Sequence, residues 1–284
     1  MLQLLIDNNA ALNRGDAVGQ TPSLVAADRG HVDCLKLLAL HGADLNKPSD
    51  KGTAPIHTAC QKGRVDCIAI LLSNKVDVNS LRSNGGATPA MIACQFGQME
   101  VLELLIENNA EVNQFDATGC TPVLAALRYG HVNCLMLLAL HGADLNKPSD
   151  KGTAPIHTAC KEGRVHCIEI LLSNKVDVNS PRSKGEDTPA LLACLFGHMQ
   201  VLQLLIENQA DLNRPDSNCN TPLHWACRYG RMEIVSLLIS NCVNINLRNL
   251  HDETPLFLAQ QYSHQNVAEL LVQHKAEDVG GEMS

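Results

Sequence analysis

Twelve cysteines and twelve histidines are the side chains of this 284-residue sequence best suited to chemistry, as metal ligands, nucleophiles or proton carriers. Their spacing argues against all three. No Cys-x-x-Cys pair occurs, and structural zinc sites usually need such close ligand pairs. Cys60, Cys94, Cys160, Cys194 and Cys227 each follow an alanine, and Cys34, Cys67, Cys134 and Cys167 share a second recurring position. Cysteine at such positions behaves as a small buried hydrophobe. Cys120, Cys219 and Cys242 stand apart from these two sets and are the better candidates for reactivity. The histidines are phased too. His31, His131, His198 and His264 fall at one position, and His41, His141 and His274 at another. The second set suits a helix C-terminus, where a cation meets the partial negative charge of free carbonyls. The glycine-rich phosphate loop, the dinucleotide fingerprint, His-Glu-x-x-His and the Gly-x-Ser-x-Gly nucleophile turn are all missing. The sequence therefore predicts no enzyme, with no catalytic residue, cofactor, metal or small-molecule substrate.

A different set of residues points to binding. The pairs Asp28-Arg29, Gln61-Lys62, Gln95-Phe96, Arg128-Tyr129, Lys161-Glu162, Leu195-Phe196, Arg228-Tyr229 and Gln261-Tyr262 recur at one phase. Five of the eight aromatic residues sit there, with five basic residues against two acidic ones, although the chain as a whole carries a formal charge of −8. Arginine beside tyrosine or phenylalanine is the composition of interface hot spots. The competing structural account is that each aromatic leans on its neighbour and shields a helix end. Trp225 and Phe257 fall at another phase and read as packing residues.

The elements that must position these pairs follow from proline and glycine. Pro22, Pro55, Pro89, Pro122, Pro155, Pro189, Pro222 and Pro255 are 33 or 34 residues apart, and six of them follow threonine. Thr-Pro starts a helix, since the hydroxyl caps a free N–H and proline at the first position forfeits no hydrogen bond. Glycine returns at Gly30, Gly63, Gly97, Gly130, Gly163, Gly197 and Gly230, with Ser263 in the last unit. A left-handed residue there ends the short helix. A second amphipathic helix follows, such as 32–40, ending at Gly42 or Gly142, or in other copies at Lys75, Asn109, Lys175, Gln209, Cys242 or Lys275.

A longer period overlies this one. The fifty residues His31–Ser80 return at His131–Ser180 with six substitutions. These are Asp33/Asn133, Lys36/Met136, Gln61/Lys161, Lys62/Glu162, Asp66/His166 and Ala69/Glu169, all at positions predicted to be exposed. A block of three units has been duplicated.

Thr221-Pro222-Leu223-His224-Trp225-Ala226-Cys227, Gly130-His131 and Gly142-Ala143-Asp144-Leu145-Asn146 resemble the ankyrin repeat. The resemblance runs from Asp16 to about Asp278 and implies an all-α ankyrin-repeat solenoid of stacked helix–turn–helix units with β-hairpin connections. Residues 1–15 are then the second half of an incomplete repeat, 16–278 eight repeats in one elongated domain, and 279–284 a disordered tail. The family's histidine is matched only by His57, His157 and His224; Leu24, Met91, Leu124, Leu191 and Phe257 replace it elsewhere. The resemblance also implies that the recurring pairs face a concave groove that binds a protein. The candidate partner-binding residues are Arg29, Lys62, Phe96, Arg128, Tyr129, Phe196, Arg228, Tyr229 and Tyr262. A partner surface or extended segment carrying acidic and apolar groups would suit them.

The acidic balance argues against a nucleic-acid partner. No apolar run approaches the roughly 20 residues needed to insert in a membrane, and the cytoplasm, with the nucleus as alternative, is the expected compartment. The unmatched face of Leu2, Leu5 and Ile6 also suggests a targeting arm of a larger enzyme, channel or ubiquitin-ligase complex. Finally, the family resemblance makes Asn46, Asn79, Asn113, Asn146, Asn179, Asn213 and Asn246 candidates for hydroxylation, against a structural reading in which they tie down turns.

Overall fold

The computed structural model describes residues 1–83, 85–182 and 186–276. The expected 279–284 tail lies outside them. Two units can be described separately, Met1–Asp144 and Leu145–Ser284.

In the first unit, α1 (Leu2–Asp7) precedes four helix pairs. These are α2 (Pro22–Arg29) with α3 (Val32–Leu40), α4 (Pro55–Lys62) with α5 (Val65–Ser73), α6 (Pro89–Phe96) with α7 (Met99–Glu107), and α8 (Pro122–Tyr129) with α9 (Val132–Leu140). The second unit holds α10 (Pro155–Lys161) with α11 (Val165–Ser173) and α12 (Pro189–Phe196) with α13 (Met199–Glu207). It continues with α14 (Pro222–Arg228) and α15 (Met232–Ser240), then α16 (Pro255–Gln261) and α17 (Gln265–Gln273). Helices of this length are not stable alone in water. They persist because each first helix packs on the next first helix within its unit, as α2 on α4 or α12 on α14, and each second helix does likewise.

The start and stop signals act as expected. Thr21, Thr88, Thr121, Thr188 and Thr254 each accept a hydrogen bond at Oγ1 from the backbone N–H three residues on, at 3.2 Å. Ala54 has no hydroxyl, and its own N–H instead donates to Nδ1 of His57 at 3.1 Å. The Nε2–H of His57 donates to Ser80 O at 2.9 Å, that of His157 to Ser180 O at 2.8 Å, and that of His224 to Glu253 O at 3.2 Å. Each histidine thus ties a first helix to the connection leading into the next repeat. Leu24, Met91, Leu124 and Leu191 fill this place with buried apolar side chains, and Phe257 is half-buried.

These three histidines give the fold a pH dependence. Burial, the largest influence, holds each pKa below the ordinary 6.5, and Arg82 and Arg182 add to this at His57 and His157. The unfolded chain then binds protons that the folded chain refuses. Their contribution to stability is complete above pH 6.5 and is lost as pH falls through the lower folded values. The urea midpoint is expected to fall between pH 7.5 and 5.5, and replacing His57 with Gln should flatten that fall.

The connections differ from the expected β-hairpins. No described residue lies in a strand. Short backbone bonds close the turns, as Ser49 N–H to Thr53 O at 3.0 Å with Gly52 N–H to Ser49 O at 2.8 Å, and carboxylates add to them. Asp16 Oδ1 accepts from the N–H groups of Val18 and Gln20 at 3.0 and 2.9 Å. The connection asparagines bond across repeats rather than locally. Asn13, Asn79 and Asn113 accept from the N–H of Asp44, Glu111 and Asp144 at 2.7 to 2.8 Å, and Asn179 from that of Asp211 at 2.7 Å.

The second helices end in left-handed residues. Gly42 and Gly142 have φ of 76°, while Lys75 and Lys175 hold 61° and 62° at the equivalent place. A Cβ on Gly42 would meet nothing within 4 Å, so the dihedral alone favours glycine there. A non-glycine residue in this conformation costs roughly 1–2 kcal/mol, partly offset by the greater freedom of glycine in the unfolded chain. Lys75→Gly is therefore expected to stabilise the protein by about 0.5–1 kcal/mol in a urea titration.

The duplicated sequence supplies an internal comparison at α1. Leu102 and Leu105 of α7, and Leu202 and Leu205 of α13, are fully buried beside their first helices. The matching Leu2 is half-buried and Leu5 is 50% exposed. A cavity of about 520 Å³, lined by Leu2, Pro22, Val25, Ala26, Cys34 and Leu38 among others, lies alongside. The six substitutions between the long copies all fall on exposed or half-buried positions.

Candidate partner-binding surface

The recurring pairs close the first helices, and a left-handed residue follows each pair. Both members lie in the last turn of α2, α4, α6, α8 and α12, while in α10, α14 and α16 the second member, Glu162, Tyr229 or Tyr262, is the capping residue. A neighbouring repeat fixes that turn. In five repeats the residue preceding the second helix reaches back to a backbone carbonyl in the repeat before. In the first unit Arg64 Nε–H donates to Asp28 O at 3.4 Å, Gln98 Nε2–H to Gln61 O at 3.4 Å, and His131 Nε2–H to Gln95 O at 3.1 Å. In the second unit His198 and His264 donate through Nε2–H to Lys161 O and Arg228 O at 2.9 and 3.0 Å. Each accepting carbonyl belongs to the first member of a recurring pair. The stitch also needs glycine beneath it. Gly97 has φ of 69°, and a Cβ there would lie 2.5 Å from Nδ1 of His131.

On this framework the large side chains stay in solvent. Phe96 is 42% and Tyr129 45% exposed in the first unit. Gln95 Nε2–H donates to the Tyr129 hydroxyl at 3.3 Å, and the Tyr129 ring stacks on His131 at 6.4 Å between centroids. Arg128 and Lys62 are exposed. Arg29 pairs with its own neighbour Asp28 at 3.5 Å, an exposed pair of little energetic weight. The structure therefore brings together Gln95, Tyr129 and His131, whereas Arg29's recorded partner is its own neighbour.

The second unit is more tightly organised. Lys161 Nζ lies 5.7 Å from the centroid of the Phe196 ring. The Arg228 guanidinium lies 5.5 Å from the Trp225 ring and 4.9 Å from the Tyr262 ring of the next repeat. Tyr229 stacks on Trp225 at 6.1 Å. Trp225 is held from behind, its Nε1–H donating to Asp216 Oδ2 at 3.0 Å. Trp225 packs, as its phase suggests, but it is also the residue that joins Arg228 to Tyr229. Sequence phase did not place it with the pairs, and its fourth position in α14, one turn before Arg228, was the available signal.

The family profile described as "Ankyrin repeats (3 copies)" matches residues 1–82, 77–149, 135–216 and 191–280. This chain belongs to the ankyrin-repeat family. A crystal structure of the human ASB11 ankyrin repeat domain is similar at a TM-score of 0.72 and 29% identity, covering 80% of this chain and 100% of that one. A comparison with curated protein sequences returned no match. Ankyrin repeats are in general protein-interaction modules. Among the described residues no group of three or more His, Cys, Asp or Glu could hold a metal ion, and no helix is long and apolar enough to cross a membrane.

The cysteines of this ankyrin chain sort by burial. Cys60, Cys94, Cys160, Cys194 and Cys227 are fully enclosed, and burial pushes their thiols far up, while Cys167 is raised to about 11. Cys242 is exposed, and Cys34, Cys120 and Cys219 are half-buried. Since the thiolate is the reactive form, a thiol titration of the folded protein should show one fast equivalent, from Cys242. The enclosed set should react only after denaturant is added.

Proposed function

We propose that this protein is a non-catalytic scaffold that binds a partner protein through the first-helix side of its repeats, using the Arg and aromatic residues of the recurring pairs. The observation that carries this reading is the placement of Tyr129, Tyr229 and Tyr262. Each is more than 40% exposed, yet each is stacked on, or in cation–π contact with, a neighbouring side chain. Exposed aromatics held in one orientation lose little freedom on binding, which favours affinity. The test is affinity capture with wild type, a Tyr129→Ala, Arg228→Ala, Tyr229→Ala variant, and a variant altered only at Leu40 and Leu140, which are 79% and 80% exposed on second helices. Capture should be lost in the first variant and retained in the second; the reverse would move the site to the second-helix side.

The half-exposed apolar face of α1 and its adjoining cavity favour a second reading, in which the repeats are the recognition arm of a larger enzyme, channel or ubiquitin-ligase complex. Co-purification of such a subunit, lost on Leu5→Asp, would support it.

A further inference from the structure

We infer that the second unit carries a carboxylate clamp centred on Arg228, and that its occupant is an extended acidic segment of a protein. This rests on the protein-binding reading above and specifies what is bound.

The Arg228 guanidinium is placed against two aromatic faces, with Trp225 of its own helix 5.5 Å and Tyr262 of the next repeat 4.9 Å from its central carbon. Such contacts satisfy the flat faces of the group and restrict its rotamers. They leave its N–H edges, the part that pairs bidentately with a carboxylate, unspent. None of the ion pairs among the described residues involves Arg228. The acidic residue that supports the clamp is already committed. Asp216 accepts at Oδ2 from Trp225 Nε1–H at 3.0 Å, and at Oδ1 from the N–H groups of Asn218 and Asn220 at 2.9 and 2.8 Å. From the other side, His264 fixes the Arg228 carbonyl at 3.0 Å. An arginine oriented by three neighbours, with its hydrogen-bonding edge free among the described residues, is organised in advance for an anion.

A second cation sets the length of the occupant. Lys161 ends α10, and one first helix, α12, separates it from α14. Packed helices lie 8–10 Å apart, so the two cations are roughly 16–20 Å apart. An extended chain advances about 3.3 Å per residue, which places its two acidic side chains about five or six residues apart. Phe196, 39% exposed with Lys161 above it, lies on the helix between them and suits an apolar residue midway. Glu162 adjoins Lys161, so Arg228 is the stronger end. A nucleic acid would present a dense row of phosphates to a chain of net charge −8, which favours a protein carboxylate over a phosphate backbone.

Trp225 is the single tryptophan of the sequence, so its emission reports this clamp alone. The probe is a Ser/Gly peptide with two glutamates about six residues apart and a leucine midway. Titrated into the whole protein at low salt, it should change Trp225 emission saturably. The response should vanish in Arg228→Ala and with the same peptide carrying glutamine for glutamate. Moving the glutamates to about two residues apart should weaken binding at least fivefold. An unchanged thermal midpoint for Arg228→Ala shows that it remains folded; if it does not, the Glu/Gln peptide pair on wild type decides. The inference is overturned by no response at millimolar peptide, by an equal response to the glutamine peptide, or by tighter binding of a single-stranded oligonucleotide. If partner capture depends on Arg228 and Tyr229 while these peptides fail, the acidic occupant is wrong and the protein-binding reading survives. If capture ignores those residues, the protein-binding reading fails.

Discussion

Replacing Leu105 with alanine is expected to cost about 2–5 kcal/mol of stability, whereas Leu5→Ala at the equivalent position should cost about 1 kcal/mol or less. The two residues occupy matching places in copies of one sequence, so side-chain chemistry and local propensity are nearly constant between them. What differs is the neighbour. Leu105 is fully buried in α7, which packs against its first helix α6, while Leu5 is 50% exposed. Truncating the first removes buried methyl groups and leaves a cavity among tightly packed side chains. Truncating the second removes groups that already face water. Because repeats couple to their nearest neighbours, Leu105→Ala should also open the flanking repeats first. Urea titration gives the two free energies, and amide hydrogen exchange shows where opening begins. Equal losses for the two variants would mean that α1 is covered as fully as α7, contrary to the fold described above.

The second large effect is on binding. Tyr229→Ala and Arg228→Ala are each expected to weaken the captured partner by about 2 kcal/mol or more, roughly thirtyfold in Kd. Tyr229 is 46% exposed and stacked on Trp225, and Arg228 lies against both Trp225 and Tyr262. Since both act through Trp225, their losses should not add, and the double variant should cost less than the sum. Arg29→Ala should have little effect, because Arg29, itself exposed, is paired with its own neighbour Asp28. Surface plasmon resonance with the captured partner measures all four values. Additive losses would show that Arg228 and Tyr229 do not form one cluster.

Much of the fold was legible because its punctuation is chemical. Thr-Pro supplies a cap and a fixed dihedral, and glycine supplies a left-handed turn, so their recurrence at 33 or 34 residues specifies the unit directly. Even departures could be read: Lys75, Asn109, Lys175, Gln209, Cys242, Ser263 and Lys275 all adopt positive φ where the period demands it. The stitches between repeats were not legible. Arg64, Gln98, His131, His198 and His264 share only a side-chain N–H of suitable reach, a property that crosses residue types and escapes a search for identical letters. The connection asparagines were recognised, but their partners lie about thirty residues on, in the next repeat. For the same reason the recurring pairs were visible as a set, while the grouping of Arg228 with Trp225 and Tyr262 needed the packing of α14 on α16.

Photo-crosslinking shows which helices the partner touches. A benzophenone amino acid is placed at Tyr229 and, separately, at Met136, which is 55% exposed on second helix α9. Both variants are irradiated in the presence of the captured partner. An adduct is expected from position 229 and none from position 136. Crosslinking from 136 with none from 229 would contradict the proposed surface and assign partner recognition to the second helices.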